Sequence, residues 1–164
     1  MLFKIETGQH ESVITSFDCL PMIQDIARNL RLRPEFDSID LSILKDARPI
    51  FADDTFFCLG EEPLLRAALG NIIENALEAS PSGTVVTVNL ATGHAHRVEV
   101  RNTGTVPQEI RDRFFEKYVT HGKYKGTGIG TYSARKMIEA QGGRIELRTS
   151  DAENETVVAI HLPG

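Results

Sequence analysis

Cysteine is scarce: Cys19 and Cys58 are the only two among 164 residues, too few for a disulfide scaffold. A reducing compartment is the default, and both side chains read as core residues. Basic residues are in deficit, with 18 Lys and Arg against 23 Asp and Glu and a net charge of −5. That argues against a broad nucleic-acid-binding surface and allows only a local basic patch. No apolar run reaches the ~18 residues of a membrane-spanning helix. Residues 1–30 lack the basic start and apolar centre of a secretory signal, so the expected location is the cytoplasm, with membrane anchoring of a parent protein left open. Internal repeats and low-complexity linkers are also missing. What is present is an ordinary globular composition, 41% hydrophobic and 25% charged, in a length that suits one domain with a sizeable core.

Residues 1–10 read as a frayed helix end followed by a glycine turn, and residues 12–17 as a strand. Asp18 can cap a helix whose stripe is Leu20, Ile23, Ile26, Ala27 and Leu30, with Pro34 ending it. Strands are expected at 39–44 and 55–60, then a long helix from Glu62 to Ala79 stopped by Ser80-Pro81-Ser82-Gly83. Residues 84–90 and 96–102 form a hairpin pattern, as do 144–149 and 156–162. Between the hairpins, residues 103–127 mix Gly, Pro, Lys, His and aromatics without a period, which marks a functional loop or lid. Helix 130–141 follows and ends at Gly142-Gly143. The fold class predicted is α/β of the α+β type. It is a two-layer sandwich, a mixed and mostly antiparallel sheet with three helices on one face.

Three groups of residues point to chemistry. On helix 62–79, Asn75 falls inside the apolar arc and Asn71 lies one turn earlier on the same edge. Buried carboxamides must be satisfied. Either they bond to backbone, or their oxygens face a cavity and hold a hard cation. At the second helix, Gly126-Thr127-Gly128-Ile129-Gly130 opens residues 130–141. Bare N–H groups at a helix start bind phosphates, although a plain flexible turn has the same composition. Neither the Walker nor the Rossmann glycine pattern fits, since Gly122-Lys123 is followed by Tyr124 and no strand precedes Gly126. Third, Asn102-Thr103-Gly104 turns off a strand. Asn102 could accept from a base amino group, with Val106 and Ile110 as an apolar wall, or the three are turn chemistry alone. Lys117, His121, Lys123 and Lys125 lie between, either as phosphate partners or as a solvated face.

The order of these elements resembles the ATP-binding catalytic domain of sensor histidine kinases, in the GHKL ATPase superfamily, over about residues 17–164. GNIIENALEA is similar to the N box and VRNTGTVPQEI to the first glycine box. RDRFFEKY is similar to the F box, and GTGIGTYSARKMIEAQGGRIEL to the second glycine box. The resemblance implies the Bergerat α/β sandwich and a kinase that uses ATP and Mg2+. It implies Asn75 as the magnesium ligand, and Asn71 on the same phosphate site and as the catalytic candidate. Asn102 stands for the adenine-reading Asp, with Gly104, Val106 and Ile110 beside the base. Phe114 or Phe115 anchors the lid. Lys117, Tyr118, His121, Gly122 and Lys123 approach the phosphates, and Gly126, Thr127, Gly128, Ile129, Gly130 and Thr131 wrap them. By the same resemblance residues 1–10 are the end of a preceding dimerisation helix with its linker, and 11–164 the ATP-binding domain. The phosphoacceptor histidine and the response regulator then belong to the rest of a longer kinase.

Departures shape the expectation. Asn102 replaces the usual Asp, Glu78 is acidic where some members place a Lys, and Thr131 stands where a Leu is common. Asn71 occupies the place of the general-base Glu of hydrolytic relatives, and an amide cannot take a proton from water at neutral pH. That favours a phosphoryl donor over a hydrolytic chaperone or mismatch-repair ATPase. Two other readings stay open: a degenerate partner-binding module, and a Ser/Thr kinase of the anti-sigma type. His10-Glu11 is followed by Ser-Val-Ile-Thr and does not read as a phosphoacceptor box. His94 and His96 read as surface residues of the hairpin.

Overall fold

Asp18 organises the first half of the chain. Its Oδ1 accepts from the N–H of Leu20 at 3.1 Å, capping a helix, and from the N–H of Phe56 at 2.9 Å, tying that cap to a distant strand. The computed structural model describes residues 1–120 and 128–163. A short helix α1 (Leu2–Glu6) leads to strand β1 (Thr15–Asp18) and helix α2 (Cys19–Arg31). Then come β2 (Asp40–Lys45), β3 (Arg48–Pro49), β4 (Phe57–Gly60) and helix α3 (Glu62–Ala79). The second half holds β5 (Val85–Ala91), β6 (Arg97–Thr103), helix α4 (Gly130–Ala140), β7 (Arg144–Ser150) and β8 (Glu155–His161).

Six strands form one sheet in the order β3-β2-β5-β6-β8-β7, in which only β2 and β5 are parallel. The predicted sandwich is what forms. Alternation puts Val86, Val88 and Leu90 of β5, Val98 and Val100 of β6, and Val158 and Ile160 of β8 into the core with α2, α3 and α4. Register stacks them, with Leu90 opposite Val98, Val98 opposite Ile160, and Val100 opposite both Val88 and Val158. The opposite face carries ion pairs such as Arg97–Glu99–Arg148 and Arg101–Glu155. Asn102 follows Val98 and Val100 in the inward series, so a polar side chain enters the core at the end of β6 and is 6% exposed.

Helix α3 is the central element. Pro63 sits in its first turn, where a missing N–H costs nothing. Leu65, Leu69, Ile72 and Leu77 are essentially buried, and replacing any of them with Ala would cost about 2–5 kcal/mol. Ser80 closes the helix, its Oγ donating to the Ala76 carbonyl at 2.6 Å, and Pro81 prevents continuation.

Two features differ from the sequence reading. Strands β1 and β4 pair only with each other, as a separate two-stranded sheet. Cys19 and Cys58 are in the core as expected, yet they are bonded to each other across a separation of 39 residues. The register explains the meeting, since Asp18 lies opposite Phe57 and Phe17 opposite Cys58.

Candidate functional site

One face of α3 meets the start of α4 across a cavity of about 310 Å³. From α3, Asn71, Glu74, Asn75, Glu78 and Ala79 line it. The segment after β6 contributes Thr105, Val106, Pro107, Ile110 and Phe114, and the far wall is Val119, Thr120, Gly128, Gly130 and Thr131. The volume lies within the range of small-molecule sites. A second recess of about 70 Å³ continues beneath it, walled by Ile72, Ala76 and Val158, with Asn102 and Gly104 at its end. Asn75, Ala79, Thr105, Val106 and Phe114 border both spaces.

Amide chemistry dominates the α3 wall. Asn71 donates from Nδ2 to the Gly130 carbonyl at 3.3 Å, and its oxygen has no partner among the described residues. Asn75 has no hydrogen-bond partner among the described residues and is half-buried between the two spaces. Two neutral carbonyl oxygens one turn apart suit a hard cation that keeps some of its water, so these residues fit Mg2+. Glu74 on the same wall is matched by the Arg33 guanidinium at 2.6 Å. Glu78 has no such partner among the described residues. It is solvent-exposed at the cavity rim, and the atoms crowding it, with Glu74 nearby, raise its carboxyl above the ordinary range.

The α4 wall offers backbone. Its N-terminus has no side-chain cap, so first-turn N–H groups stay available to an anion. Gly128 has φ +70, and a Cβ there would come within 2.7 Å of the Tyr118 backbone. The Tyr118 N–H donates to the Gly128 carbonyl at 2.9 Å, so residues 117–120 lie against the helix start. Thr131 Oγ1 donates to the Phe114 carbonyl at 2.9 Å. At the opposite end, Asn102 donates from Nδ2 to the Thr103 carbonyl at 2.9 Å, leaving its oxygen as an acceptor. Gly104 has φ +107 and packs near the Ala79 carbonyl.

The structure thus brings Asn71, Asn75, Val106, Ile110, Gly128, Gly130 and Thr131 around the larger space and Asn102 and Gly104 to the smaller one, with Asn75 and Val106 bordering both. Of the two phenylalanines, Phe114 faces the cavity, while Phe115 packs edge-on against it at 4.9 Å. Ile129 precedes α4 and does not line the cavity; Tyr118 points to solvent at 72% exposure. Lys117 is drawn away, with its Nζ 2.6 Å from Glu6 Oε1 and over the Tyr132 ring at 4.9 Å. His121, Gly122, Lys123, Gly126 and Thr127 lie outside the described residues. Sequence reasoning missed Glu74, Ala79, Thr105, Pro107, Val119 and Thr120. The helical spacing from Asn71 would have found Glu74, one turn on. Elsewhere, His10 pairs with Glu61 at 3.0 Å, and His96 lies against Phe56 with its Nδ1 2.6 Å from the Phe57 carbonyl.

Residues 60–164 match the family described as histidine kinase-, DNA gyrase B- and HSP90-like ATPase. The chain belongs to that family. The matched stretch takes in α3 and every element that walls the cavity. Sensor histidine kinase AruS of Pseudomonas aeruginosa is 31% identical over 108 residues, covering 59% of this chain and 11% of the relative. The heme sensor protein HssS of Staphylococcus epidermidis aligns over 164 residues at 24% identity, 99% of this chain and 34% of the relative. The chain therefore spans well under half the length of either. Among solved structures, the mycobacterial sensor histidine kinase MprB has a TM-score of 0.77 at 20% identity, over 93% of this chain and 98% of that one. Full-length ShkA, in complex with AMPPNP, has a TM-score of 0.78 at 20% identity, over 99% of this chain and 33% of that one. With such relatives, this ATPase-family chain is an ATP-binding catalytic domain of the histidine-kinase type. No helix among its described residues is long and apolar enough to cross a membrane.

Proposed function

We propose that this domain holds Mg-ATP between α3 and the start of α4 and donates the γ-phosphoryl to a histidine on a separate dimerisation module of a two-component kinase. The observation that carries the reading is the shared cavity: Asn75 and Gly128 face one space although 53 positions separate them in sequence. In the transfer, the acceptor imidazole nitrogen forms a bond to the γ-phosphorus as the bond to the β-phosphate oxygen breaks, and ADP leaves.

Each wall has a task. Asn75, with Asn71, presents carbonyl oxygens to Mg2+, which when bound neutralises charge on the β- and γ-phosphates. The open N–H groups of α4 cradle the phosphates, and Gly128 lets them approach. The base enters the smaller recess, where the Asn102 oxygen accepts from its amino group and Val106 and Ile72 cover its faces. Ile110 and Pro107 close the mouth. Asn71 contributes position and polarity, because an amide takes no proton. Residues 1–10 are the end of a preceding dimerisation helix with its linker, and 11–164 form the ATP-binding domain. The response regulator is reached through the full-length protein, in the cytoplasm.

Calorimetric titration of the chain with ATP, with and without Mg2+, tests the reading. Binding that depends on Mg2+, little turnover by the chain alone, and phosphorylation in trans of a separately prepared dimerisation module are expected. Absence of ATP binding would sink it and favour a partner-binding module, a reading to which the Asn at 102 and the acidic Glu78 lend weight.

A further inference from the structure

Of the cationic residues that the sequence offers to the phosphates, Lys117 lies among the described residues, and it is already engaged. Lys117 Nζ and the Tyr132 hydroxyl both reach Glu6 Oε1, at 2.6 and 2.7 Å, and the ammonium also lies over the Tyr132 ring. Lys136 approaches the same ring at 5.7 Å. Glu6 is held below the ordinary carboxylate range by these two donors, and Lys117 is raised by the carboxylate.

The position of this cluster matters more than its strength. Val119, two residues beyond Lys117, and Thr131, one residue before Tyr132, both wall the cavity. The Tyr118–Gly128 backbone bond joins the two strands of chain between them. Glu6 therefore binds two residues whose near neighbours in the chain wall the cavity, and it comes from α1, no residue of which lines either space among the described residues.

We propose that Glu6 is a positioning residue that competes with nucleotide phosphates for Lys117. The inference rests on the nucleotide reading above. An ammonium on a four-carbon stem is a mobile point charge, and it cannot serve a carboxylate on α1 and a polyphosphate in the cavity at once. With α1 seated against α4, Lys117 is withheld. When α1 moves away, Lys117 is free to turn toward the phosphates. The coupling is reciprocal, so phosphate binding loosens α1 by the same free energy.

Affinities of adenosine, AMP, ADP and ATP, each with Mg2+, would be measured for the wild type, E6Q, E6D, K117A and the E6Q/K117A double variant. E6Q should tighten ATP binding about two- to five-fold, the range of an exposed ion pair. The gain should grow with the number of phosphates and vanish for adenosine. E6D, which keeps the charge, should stay near the wild type. K117A should weaken ATP binding and remove the effect of E6Q. An E6Q effect of equal size for adenosine and ATP, one that persists without Lys117, or no effect at all overturns the proposal while leaving the nucleotide site intact. A wild-type chain that binds no nucleotide overturns both.

Discussion

Asn71 reaches across the cavity to the first residue of α4, its amide nitrogen 3.3 Å from the Gly130 carbonyl. That contact joins the carboxamide helix to the glycine-opened helix at one end of a single space. One turn on, Asn75 is the next carboxamide on the α3 wall, and Gly128 lines the same cavity from the α4 side. A half-buried amide with no partner among the described residues and a helix start with no side-chain cap each leave polar groups open. Placed on opposite sides of one cavity, they become complementary to a cation and the anion that accompanies it.

Asn75→Ala should therefore separate metal-dependent from metal-independent binding. Removing the amide deletes an oxygen donor and leaves the apolar walls unchanged. Mg-ATP affinity should fall about ten-fold or more, the size found when groups that support a metal are lost. Adenosine affinity should stay within two-fold. Thermal unfolding should barely change, because Asn75 makes no bond within the described chain that its loss would orphan. Calorimetry with the two ligands checks the split, and equal losses for both would refute the role.

Much of this was legible in the sequence because helical spacing is a strong local signal. Asn71 and Asn75 fall on one edge of a wheel, and their edge does face the cavity. The inward series Val98, Val100, Asn102 follows from strand alternation. What was not legible depends on long-range geometry. The parallel β2–β5 pairing joins strands with α3 between them, and no local pattern encodes it. Nor does local sequence say that Cys19 and Cys58 meet, since that depends on the register of β1 against β4. Phe114 and Phe115 are equivalent by composition, and only packing chooses the first for the cavity. Nor could local pattern show that Lys117, open to reading as a phosphate partner or as part of a solvated face, pairs with Glu6, 111 positions earlier in the chain.

Gly128→Ala should destabilise the chain whether or not nucleotide is present. The backbone is left-handed there, and an added Cβ would meet the Tyr118 backbone at 2.7 Å. Strain of this kind costs about 1–3 kcal/mol, a fall of roughly 2–12 °C in Tm for a chain of this length. Gly130→Ala is the control, because nothing lies within 4 Å of a Cβ at that position. It should unfold at or slightly above the wild-type temperature, since Ala is the better helix former. Differential scanning calorimetry of the two variants decides the point.

Glu78 predicts a pH dependence. Its carboxyl is raised by crowding and by Glu74, so the folded chain takes up a proton at a higher pH than the unfolded chain does. The linked stability is present below the ordinary carboxylate range and is lost as pH rises through the raised value. The same proton removes a negative charge from the rim of the cavity, so the gap in ATP affinity between the wild type and Glu78→Gln should narrow as pH falls through the raised carboxylate range. At pH 7 Glu78→Gln should bind ATP more tightly than the wild type, and Glu78→Lys more tightly still. The group is solvent-exposed, so all three effects should shrink at high salt. An affinity gap between the wild type and Glu78→Gln that does not narrow on acidification would contradict this placement.

Asn102→Asp sets affinity against stability. The buried amide donates to the Thr103 carbonyl at 2.9 Å, and a carboxylate cannot make that bond. Burying the charge and orphaning the carbonyl should lower stability by about 1–3 kcal/mol. In the recess that ends at Asn102 and Gly104, the same carboxylate would accept a charge-assisted hydrogen bond from an adenine amino group, about twice as strong as the neutral one. ATP affinity should then rise several-fold while the unfolding temperature falls. A nucleotide with a carbonyl in place of that amino group should bind the Asp variant worse than the wild type, because two acceptors would face each other. If ATP and the carbonyl analogue respond alike, residue 102 does not read the base, and the smaller recess is not the base pocket.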